Sequence, residues 1–419
     1  MAEGPGVTAQ RNVEALPRRL DQRAAALGPM TAEEAERYSR QILLNEVGRQ
    51  GQERLRAARV LVVGAGGLGS PASLYLAAAG VGTIGLVDGG RVDRSNLQRQ
   101  ILHSPQDVGR PKVESGAASL RRLNPWIQVD EHKTVLSSEN ALQILGGYDV
   151  VINGCDNFPT RYLVNDACVL LGLPLVDASV LRWDGMAAVF VPGGGCYRCL
   201  YPSPPPPGSV PSCAEAGVMG AMVGHLGTLQ ALETIKLLLG VGRTLTSRLL
   251  LFDGFETDYH MLEYARNPNC PVCGEHPSIR QLVDYAEFCG VPTPEDEVNR
   301  GQPFEEMAAD EASRRLAAGE PIVVLDVREA DEYASGHIAG ARWLPLGRLR
   351  AATDQEEISE LAPETAIVTV CRTGQRSAEA ARLLTERGWS SVYNLRGGMV
   401  AWQGSGLPVV EGPAGGGRD

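Results

Sequence analysis

The stretch that most constrains this chain of 419 residues runs from Val60 to Asp88. Four apolar residues, Val60 to Val63, meet Gly64, Gly66, Gly67 and Gly69; an Ala/Leu-rich helical run follows, and a second apolar segment, Thr83 to Val87, closes on Asp88. That order makes a βαβ unit. Glycines at the strand-to-helix turn let the backbone approach a phosphate, the first helical N–H groups point at it, and a carboxylate ending the next strand can hold ribose hydroxyls. The flanking strand and helix, with an acid about 20 residues on, separate a nucleotide loop from a merely tight turn.

A chain this long exceeds one ordinary core, so two domains are expected. With 43% hydrophobic and 21% charged residues it has the composition of a soluble globular protein, and a net charge of -11 argues against a nucleic-acid groove. Residues 1–30 interleave Arg18, Arg19 and Arg23 with Glu14 and Asp21 and lack an apolar stretch, so a flexible, partly helical tail is expected and not a targeting signal. The run Val218 to Leu239 carries His225, Gln230, Glu233 and Lys236, which suits an amphipathic or buried helix better than a membrane span. Four of the nine cysteines are spaced as metal ligands and most others are scattered, which fits a reducing cytoplasm.

Thr31 to Glu34 reads as a capping box. Beyond it come Arg37, Tyr38, Ser39, Arg40 and Gln41, whose arginines composition alone would leave solvated. After Asp88, the donors Ser95, Asn96, Arg99 and Lys112 suit a triphosphate whose charge must be offset. Tyr148 to Asn153 reads as a strand leading into Asp156 and Asn157. Asp156 there suits Mg²⁺ or, equally, the cap of a helix over Phe158 to Leu171. Strands at Pro174 to Ser179 and Met186 to Val191 are expected to complete a mostly parallel sheet.

Cys196-x-x-Cys199 and Cys270-x-x-Cys273 form two knuckles that suit a tetrahedral, structural zinc. Between them a proline-rich loop, Tyr201 to Pro211, ends near Cys213, just before a helix over residues 217–239; spacing leaves Cys213 open between a reactive thiol and an idle one. Residues 276–302 read as a linker. A second α/β pattern follows, in which the strand Ile367 to Val370 runs into Cys371, Arg372, Thr373, Gly374, Gln375, Arg376 and Ser377. A cysteine at such a strand-to-helix turn sits among N–H groups that stabilise its anion, and Arg372 and Arg376 are expected to add to that.

Taken together, R-Y-S-R-Q, G-A-G-G-L-G, S-N-L-Q-R-Q, P-K-V-E, C-D-N, C-Y-R-C-L, S-C-A-E-A-G-V and C-P-V-C-G resemble the MoeB/ThiF family of ubiquitin-activating-type adenylyltransferases, from about Arg37 to Gly274. L-D-V-R-E, G-H-I-A-G-A, C-R-T-G-Q-R-S and G-G-M-V-A-W resemble a rhodanese domain. The resemblance implies an α/β fold with a Rossmann-like, mostly parallel sheet domain and a smaller α/β rhodanese domain. The expected layout is a tail at 1–30, adenylyltransferase domain at 31–275, linker at 276–302, rhodanese domain at 303–411 and disordered tail at 412–419. It further implies ATP binding by Gly67, Asp88, Ser95, Asn96, Leu97, Gln98, Arg99 and Lys112, with Mg²⁺ and nucleotide at Asp156 and Asn157. Arg40 would reach the γ-phosphate of a partner subunit's site, making a homodimer. Cys196, Cys199, Cys270 and Cys273 would bind zinc, Cys213 would take the acyl group or resolve a disulfide, and Cys371 would carry a persulfide.

The implied reaction adenylylates a ubiquitin-like sulfur carrier ending in Gly-Gly, then thiolates it with sulfur from a donor such as a cysteine desulfurase, for molybdenum-cofactor synthesis or tRNA wobble-uridine thiolation. No membrane or direct nucleic-acid partner is implied. Gly89-Gly90, where the family has a larger residue and an acid, and Asn153, where Asp is common, depart from the pattern and bear on adenine packing and the metal site. The alternative is a nicotinamide-dependent oxidoreductase fused to a sulfurtransferase domain, against which the Arg99/Lys112 pair and Asp156 count.

Overall fold

The computed structural model describes residues 15–205, 216–289, 304–351 and 363–412. The chain divides into two units between Val291 and Pro292. In the first, β1 (Arg59–Val63), α5 (Gly69–Ala79) and β2 (Thr83–Val87) form the expected βαβ unit. β1 and β2 pair in parallel with Val63 opposite Val87, which puts Gly64 and Asp88 side by side at the carboxyl ends of the strands. β3 (Gln128–His132) adds beyond β2, while β4 (Val150–Asn153) and β5 (Leu175–Leu181) add beyond β1, all parallel. The order therefore reverses between β1 and β4, and an open α/β sheet leaves its ligand crevice there.

The mostly parallel sheet then turns antiparallel through β6 (Asp184–Phe190), β7 (Arg248–Asp253) and β8 (Asp258–Glu263). Only Arg182 and Trp183 separate β5 from β6, and a link that short can make a hairpin but no parallel crossover. Arg182 takes the left-handed conformation the tight turn requires, at φ 56°. β7 and β8 carry no sequence signal comparable to the glycine loop, and every residue of β8 is exposed.

Side chains alternate between the two faces of β1: Val60 and Val62 enter one core, Leu61 and Val63 the other. The first core is covered by α5 and by α10 (Gly220–Leu239), a helix apolar enough to be buried along most of its length. The second holds α8 (Phe158–Leu171). Among the described residues no helix is long and apolar enough to cross a membrane.

Two stretches expected to lie outside the domain belong to it. Within the N-terminal tail, α1 (Leu16–Leu27) buries Leu16 and Leu20 completely. Its polar side is tied down as well, Arg23 to Asp149 at 2.7 Å and Asp21 to Arg54 at 2.7 Å. The alternation of Arg and Asp that read as solvation is the outer side of a docked amphipathic helix, with Leu16 and Leu20 one turn apart on its inner side. Residues 276–289, read as linker, also pack on this unit. There α11 (Tyr285–Phe288) buries Tyr285, whose hydroxyl donates to Asp166 at 2.8 Å, and stacks Phe288 edge-on to Tyr162. Residues 413–419 of the expected tail lie outside the described residues.

The second unit holds an all-parallel sheet in the order β11 (Arg342–Trp343), β10 (Ile322–Asp326), β12 (Ala366–Val370), β13 (Val392–Leu395) and β9 (Glu305–Met307). Its two faces again take alternate residues: Ile367 joins one core with α15 (Gln375–Glu386), and Val368 joins the other with α16 (Gly398–Gly404).

Because Leu20 is fully buried, Leu20→Ala is expected to destabilise the first unit by about 2–4 kcal/mol in denaturant unfolding. A change below about 0.5 kcal/mol would mean that α1 does not contribute to the core.

Candidate active sites and metal centre

At the crevice, the Asp88 carboxylate is held by the loops around it. Oδ2 accepts from the Ala65 N–H at 3.0 Å and Oδ1 from the Gly90 N–H at 2.7 Å. Lys112, first residue of α6 (Lys112–Leu123), brings Nζ to 3.8 Å from Asp88 Oδ2. A Cβ on Gly90 would stand 3.0 Å from Asp88 Oδ1, and one on Gly89 would stand 2.6 Å from the Val135 side chain. The Gly89-Gly90 departure thus matches a loop pressed onto Val135.

The aliphatic stem of Arg99 runs past Gly67, 3.6 Å from where a Cβ would be, and its guanidinium donates to Asn96 at 2.6 Å. Ser95 is oriented by Asp93 through its N–H at 2.7 Å, Leu97 closes the 3₁₀ turn Arg94–Asn96, and Gln98 lies against the start of α10 at Gly220. Asp88, Arg99 and Lys112 therefore come together around the glycine turn, with Asn96 held there through Arg99, while Ser95, Leu97 and Gln98 lie on the connecting segment.

Asp156 and Asn157 follow β4 directly. Asn157 caps α8, its Oδ1 accepting from the Thr160 N–H at 2.9 Å, so the capping role weighed for Asp156 belongs to its neighbour and Asp156 stays exposed. Asn153 points into the protein. Its Nδ2 donates to Asp177 at 2.6 Å, and Asp177 also takes the Arg161 guanidinium at 2.7 Å. Burial pushes the Asp177 carboxyl up, and Arg161 opposes it. The departure at 153 is thus part of a buried network joining β4, β5 and α8, while burial pushes the adjacent Cys155 thiol up to about 11.

Of the upstream arginines, Arg37 donates to the Leu123 carbonyl at 2.8 Å and lies over Trp126, as the solvated reading allowed. Arg40 is exposed. Sequence reasoning missed His103, which is buried beside the glycine loop. Its Nε2 lies 2.9 Å from Ala65 O and its Nδ1 2.9 Å from Ser115 Oγ, so it ties the loop to α6. A carbonyl only accepts, so Nε2 bears the proton, and burial holds the imidazole below its ordinary pKa. A single histidine after an apolar pair gave no signal for this.

The two cysteine knuckles meet. Cys196 precedes the short helix α9 (Tyr197–Leu200) and Cys199 lies within it, and the four Sγ atoms of Cys196, Cys199, Cys270 and Cys273 lie within 4.8 Å of one another. Cys196 is 3.6 Å from Cys270 and Cys199 is 3.4 Å from Cys273. Metal–sulfur bonds of about 2.3 Å in a tetrahedron place sulfurs about 3.8 Å apart, so the cluster fits such an ion. Hydrogen bonding from Cys196 pushes the Cys199 thiol well below its ordinary range. Cys213 lies outside the described residues.

In the second unit Cys371 directly follows β12, and its Sγ accepts from the Gly374 N–H at 3.1 Å. Gly374 has φ 96°, and a Cβ on Gly398 would stand 2.3 Å from the Cys371 carbonyl, so glycines wrap the loop around the sulfur. Arg376, expected to face the thiolate, pairs with Glu332 at 2.7 and 2.8 Å, an acid that two strands and a helix separate from it in the sequence. Arg372 is exposed.

A model of the ThiF family matches residues 38–272, and one of the rhodanese-like domain matches residues 308–405. The chain belongs to the ThiF family. It is 44% identical over 378 residues to the probable adenylyltransferase/sulfurtransferase MoeZ of Mycobacterium tuberculosis, covering 89% of this chain and 94% of that one. The sulfur carrier protein adenylyltransferase of Thermus thermophilus is 54% identical over 267 residues, which is 62% of this chain and 98% of that one. Among solved structures, E. coli MccB with ATP superposes with a TM-score of 0.50 at 26% identity, over 57% of this chain and 74% of that one. This ThiF-family chain is thus an adenylyltransferase joined to a sulfurtransferase, and neither family match favours the nicotinamide-dependent alternative.

The cysteine cluster makes metal removal a direct test. Elemental analysis is expected to find about one zinc per chain, absent from Cys270→Ser together with a lower melting temperature of the first unit. Cys289→Ser, outside the cluster, is expected to keep the metal.

Proposed function

We propose that this chain adenylylates the C-terminal glycine carboxylate of a ubiquitin-like sulfur carrier ending in Gly-Gly and converts it to a thiocarboxylate with sulfur carried on Cys371. The observation that supports the reading best is the convergence of the glycine turn, Asp88, Arg99 and Lys112 at the sheet's reversal point. Asp88 would hold the ribose, while Ser95 to Arg99 and Lys112 would bind the phosphates. Asp156 would hold Mg²⁺, which offsets phosphate charge when bound, and Asn157 would contact nucleotide. The carrier carboxylate attacks the α-phosphorus, pyrophosphate leaves, and an acyl-adenylate results. Arg99 and Lys112 offset charge that builds on the phosphates in that step.

Cys371 takes a sulfur from a donor such as a cysteine desulfurase, and the loop N–H groups favour the resulting anion. Its outer sulfur attacks the acyl carbon and displaces AMP. Cys213, or another thiol, then attacks Cys371 Sγ, releasing the carrier thiocarboxylate and leaving a disulfide that a cellular dithiol reduces. Cys196, Cys199, Cys270 and Cys273 would hold zinc in a closed, structural role. The product would feed molybdopterin synthesis, tRNA wobble-uridine thiolation or both, in the cytoplasm. Neither a membrane nor a nucleic acid is a direct partner in this reading.

Arg40 would serve the site of a second copy, making the homodimer the working unit. Leu43 and Leu44 beside it are 71% and 55% exposed, apolar surface that a second copy would cover. Arg40→Ala and Lys112→Ala should each lose adenylylation, and mixing them should restore about a quarter of it, because half of the dimers then hold one complete site. Failure of the mixture to recover would place Arg40 in its own subunit's site or outside catalysis.

The whole reaction is read by the intact mass of a carrier, such as a molybdopterin-synthase small subunit, after incubation with this protein, Mg-ATP and thiosulfate. Replacement of one carrier oxygen by sulfur is expected, dependent on both ATP and Cys371. Adenylylation without thiolation would remove Cys371 from the second half of the reaction.

A further inference from the structure

Behind Cys371 lies a chain of side chains that the proposed reaction does not use. A serine hydroxyl has one proton, and that of Ser377 has three acceptors around it: Asn394 Oδ1 at 2.6 Å, Gly374 O at 3.1 Å and Cys371 Sγ at 3.3 Å. The orientation of Asn394 decides among them. Its other end lies 2.9 Å from Glu306 Oε1 and 3.1 Å from Gly374 O. A carboxylate and a carbonyl only accept, so the NH₂ must face them and Oδ1 must face Ser377. The hydroxyl proton then goes to Asn394, its shortest contact, and a lone pair turns toward Cys371.

That arrangement suits a thiol. Cys371 can donate its S–H to Ser377 Oγ while Sγ accepts from the Gly374 N–H. A bare thiolate would face the lone pairs of a buried oxygen, and Ser377 and Asn394 are 0% and 3% exposed, so no water softens the contact. Turning Asn394 over would free the serine proton for the sulfur, but it would set an amide oxygen against the Glu306 carboxylate. A cysteine loaded with a second sulfur has no S–H and bears its charge on the outer atom, so it makes no demand on Ser377.

We propose that Glu306 of β9 is a positioning residue for the sulfur-carrying loop, which holds Asn394 so that the Ser377 proton points away from Cys371 and the unloaded cysteine stays a thiol. The biological role of this device rests on the reading of Cys371 as sulfur carrier. The other charged groups on elements packed around the loop are Arg372 on the loop itself, the Arg376–Glu332 pair of α15 and α13 (Ala330–Ala334), Glu379, Arg382 and Glu386 farther along α15, the buried Asp326–Arg328 pair at the end of β10, Glu305 of β9, Arg315 over Tyr393 of β13, and Arg396 after β13. All of these remain when Glu306 is replaced by its neutral isostere.

The test is the alkylation rate of Cys371 by iodoacetamide as a function of pH, in the full chain without sulfur donor, followed by site-resolved mass spectrometry. A Gln side chain can donate to Asn394 Oδ1, so Glu306→Gln removes the charged one of the two acceptors that oppose the flip and leaves only the Gly374 carbonyl against the release of the serine proton. Its midpoint should fall by about one pH unit, with alkylation at neutral pH about tenfold faster. In a Ser377→Ala background the same substitution should move nothing, since the effect travels through that hydroxyl. An unchanged midpoint in Glu306→Gln, or a shift that persists with Ser377→Ala, overturns the proposal. Thiosulfate-to-cyanide sulfur transfer by Cys371→Ala reads the sulfur-carrier assignment separately. Activity retained there would remove the carrier role while leaving the acidity of the thiol as measured.

Discussion

The first unit depends on how closely three backbone segments pass at the end of β1. A Cβ on Gly69 would stand 1.9 Å from the Gly64 carbonyl, one on Gly64 would stand 3.0 Å from Gly154 O, and one on Gly154 would stand 3.0 Å from Gly69 N. A side chain is excluded at Gly69 and would crowd backbone atoms at Gly64 and Gly154. The contact lets α5 start directly against the sheet, with its N-terminal end at the crevice between β1 and β4. Gly227 repeats the device from the other side, because a Cβ there would stand 2.4 Å from the Leu68 carbonyl. Helix α10 thereby packs against the glycine turn itself, and any change in its seat is felt where the nucleotide is expected.

Burying polar groups beneath such a site is costly unless they are paired, and here the pairing holds the sheet's reversal point together. Gln230 of α10 donates to the carbonyls of Asn153 and Val176 at 2.8 and 3.1 Å, reaching both strands next to the crevice. Arg161, Asp177 and Asn153 continue the network to α8, whose cap is Asn157. Below it, Arg198 and Asp166 form an almost fully buried pair at 2.8 Å, joined by the Tyr285 hydroxyl. That pair sits one residue from Cys199, so the metal knuckle, α8 and the segment around Tyr285 are fixed as one body. Removing either charge would leave the other uncompensated in the interior.

These dependencies explain what was legible beforehand. The glycine turn, Asp88, Lys112, the four cysteines and the Cys371 loop could be read because local backbone geometry or ligand count demands those residue types at short spacing. The capping box at Thr31 was legible for the same reason, and both of its hydrogen bonds are present. The helix Leu16–Leu27 and the segment 276–289 were not: the first buries only Leu16 and Leu20 among its charged residues, and in the second the apolar residues that meet the core, from Leu282 to Cys289, follow no helical or strand period long enough to stand out from a polar stretch. The antiparallel turn after β5 follows from a two-residue link that becomes visible only once both strand ends are known. His103 and Glu306 were out of reach for a different reason: each acts through a partner distant in sequence, and no local pattern marks a long-range hydrogen bond.

The two units solve opposite electrostatic problems with the same element. At the crevice, backbone N–H groups and Lys112 surround a carboxylate, Asp88, and the positive surplus beside it suits a polyphosphate. Around Cys371 the Gly374 N–H likewise points at the sulfur, yet the Ser377 hydroxyl beside it makes its shortest contact with Asn394. A cradle that stabilised a bare thiolate fully would make the empty cysteine as good an anion as the loaded one. It would then lose the thermodynamic preference for placing charge on the outer sulfur, the atom that must attack an acyl carbon. Withholding the Ser377 proton from Sγ keeps that preference. On this argument the Glu306–Asn394–Ser377 chain, half-buried at Glu306 and buried beyond it, matters less for the strength of the fold than for which of two adjacent sulfur atoms bears the charge.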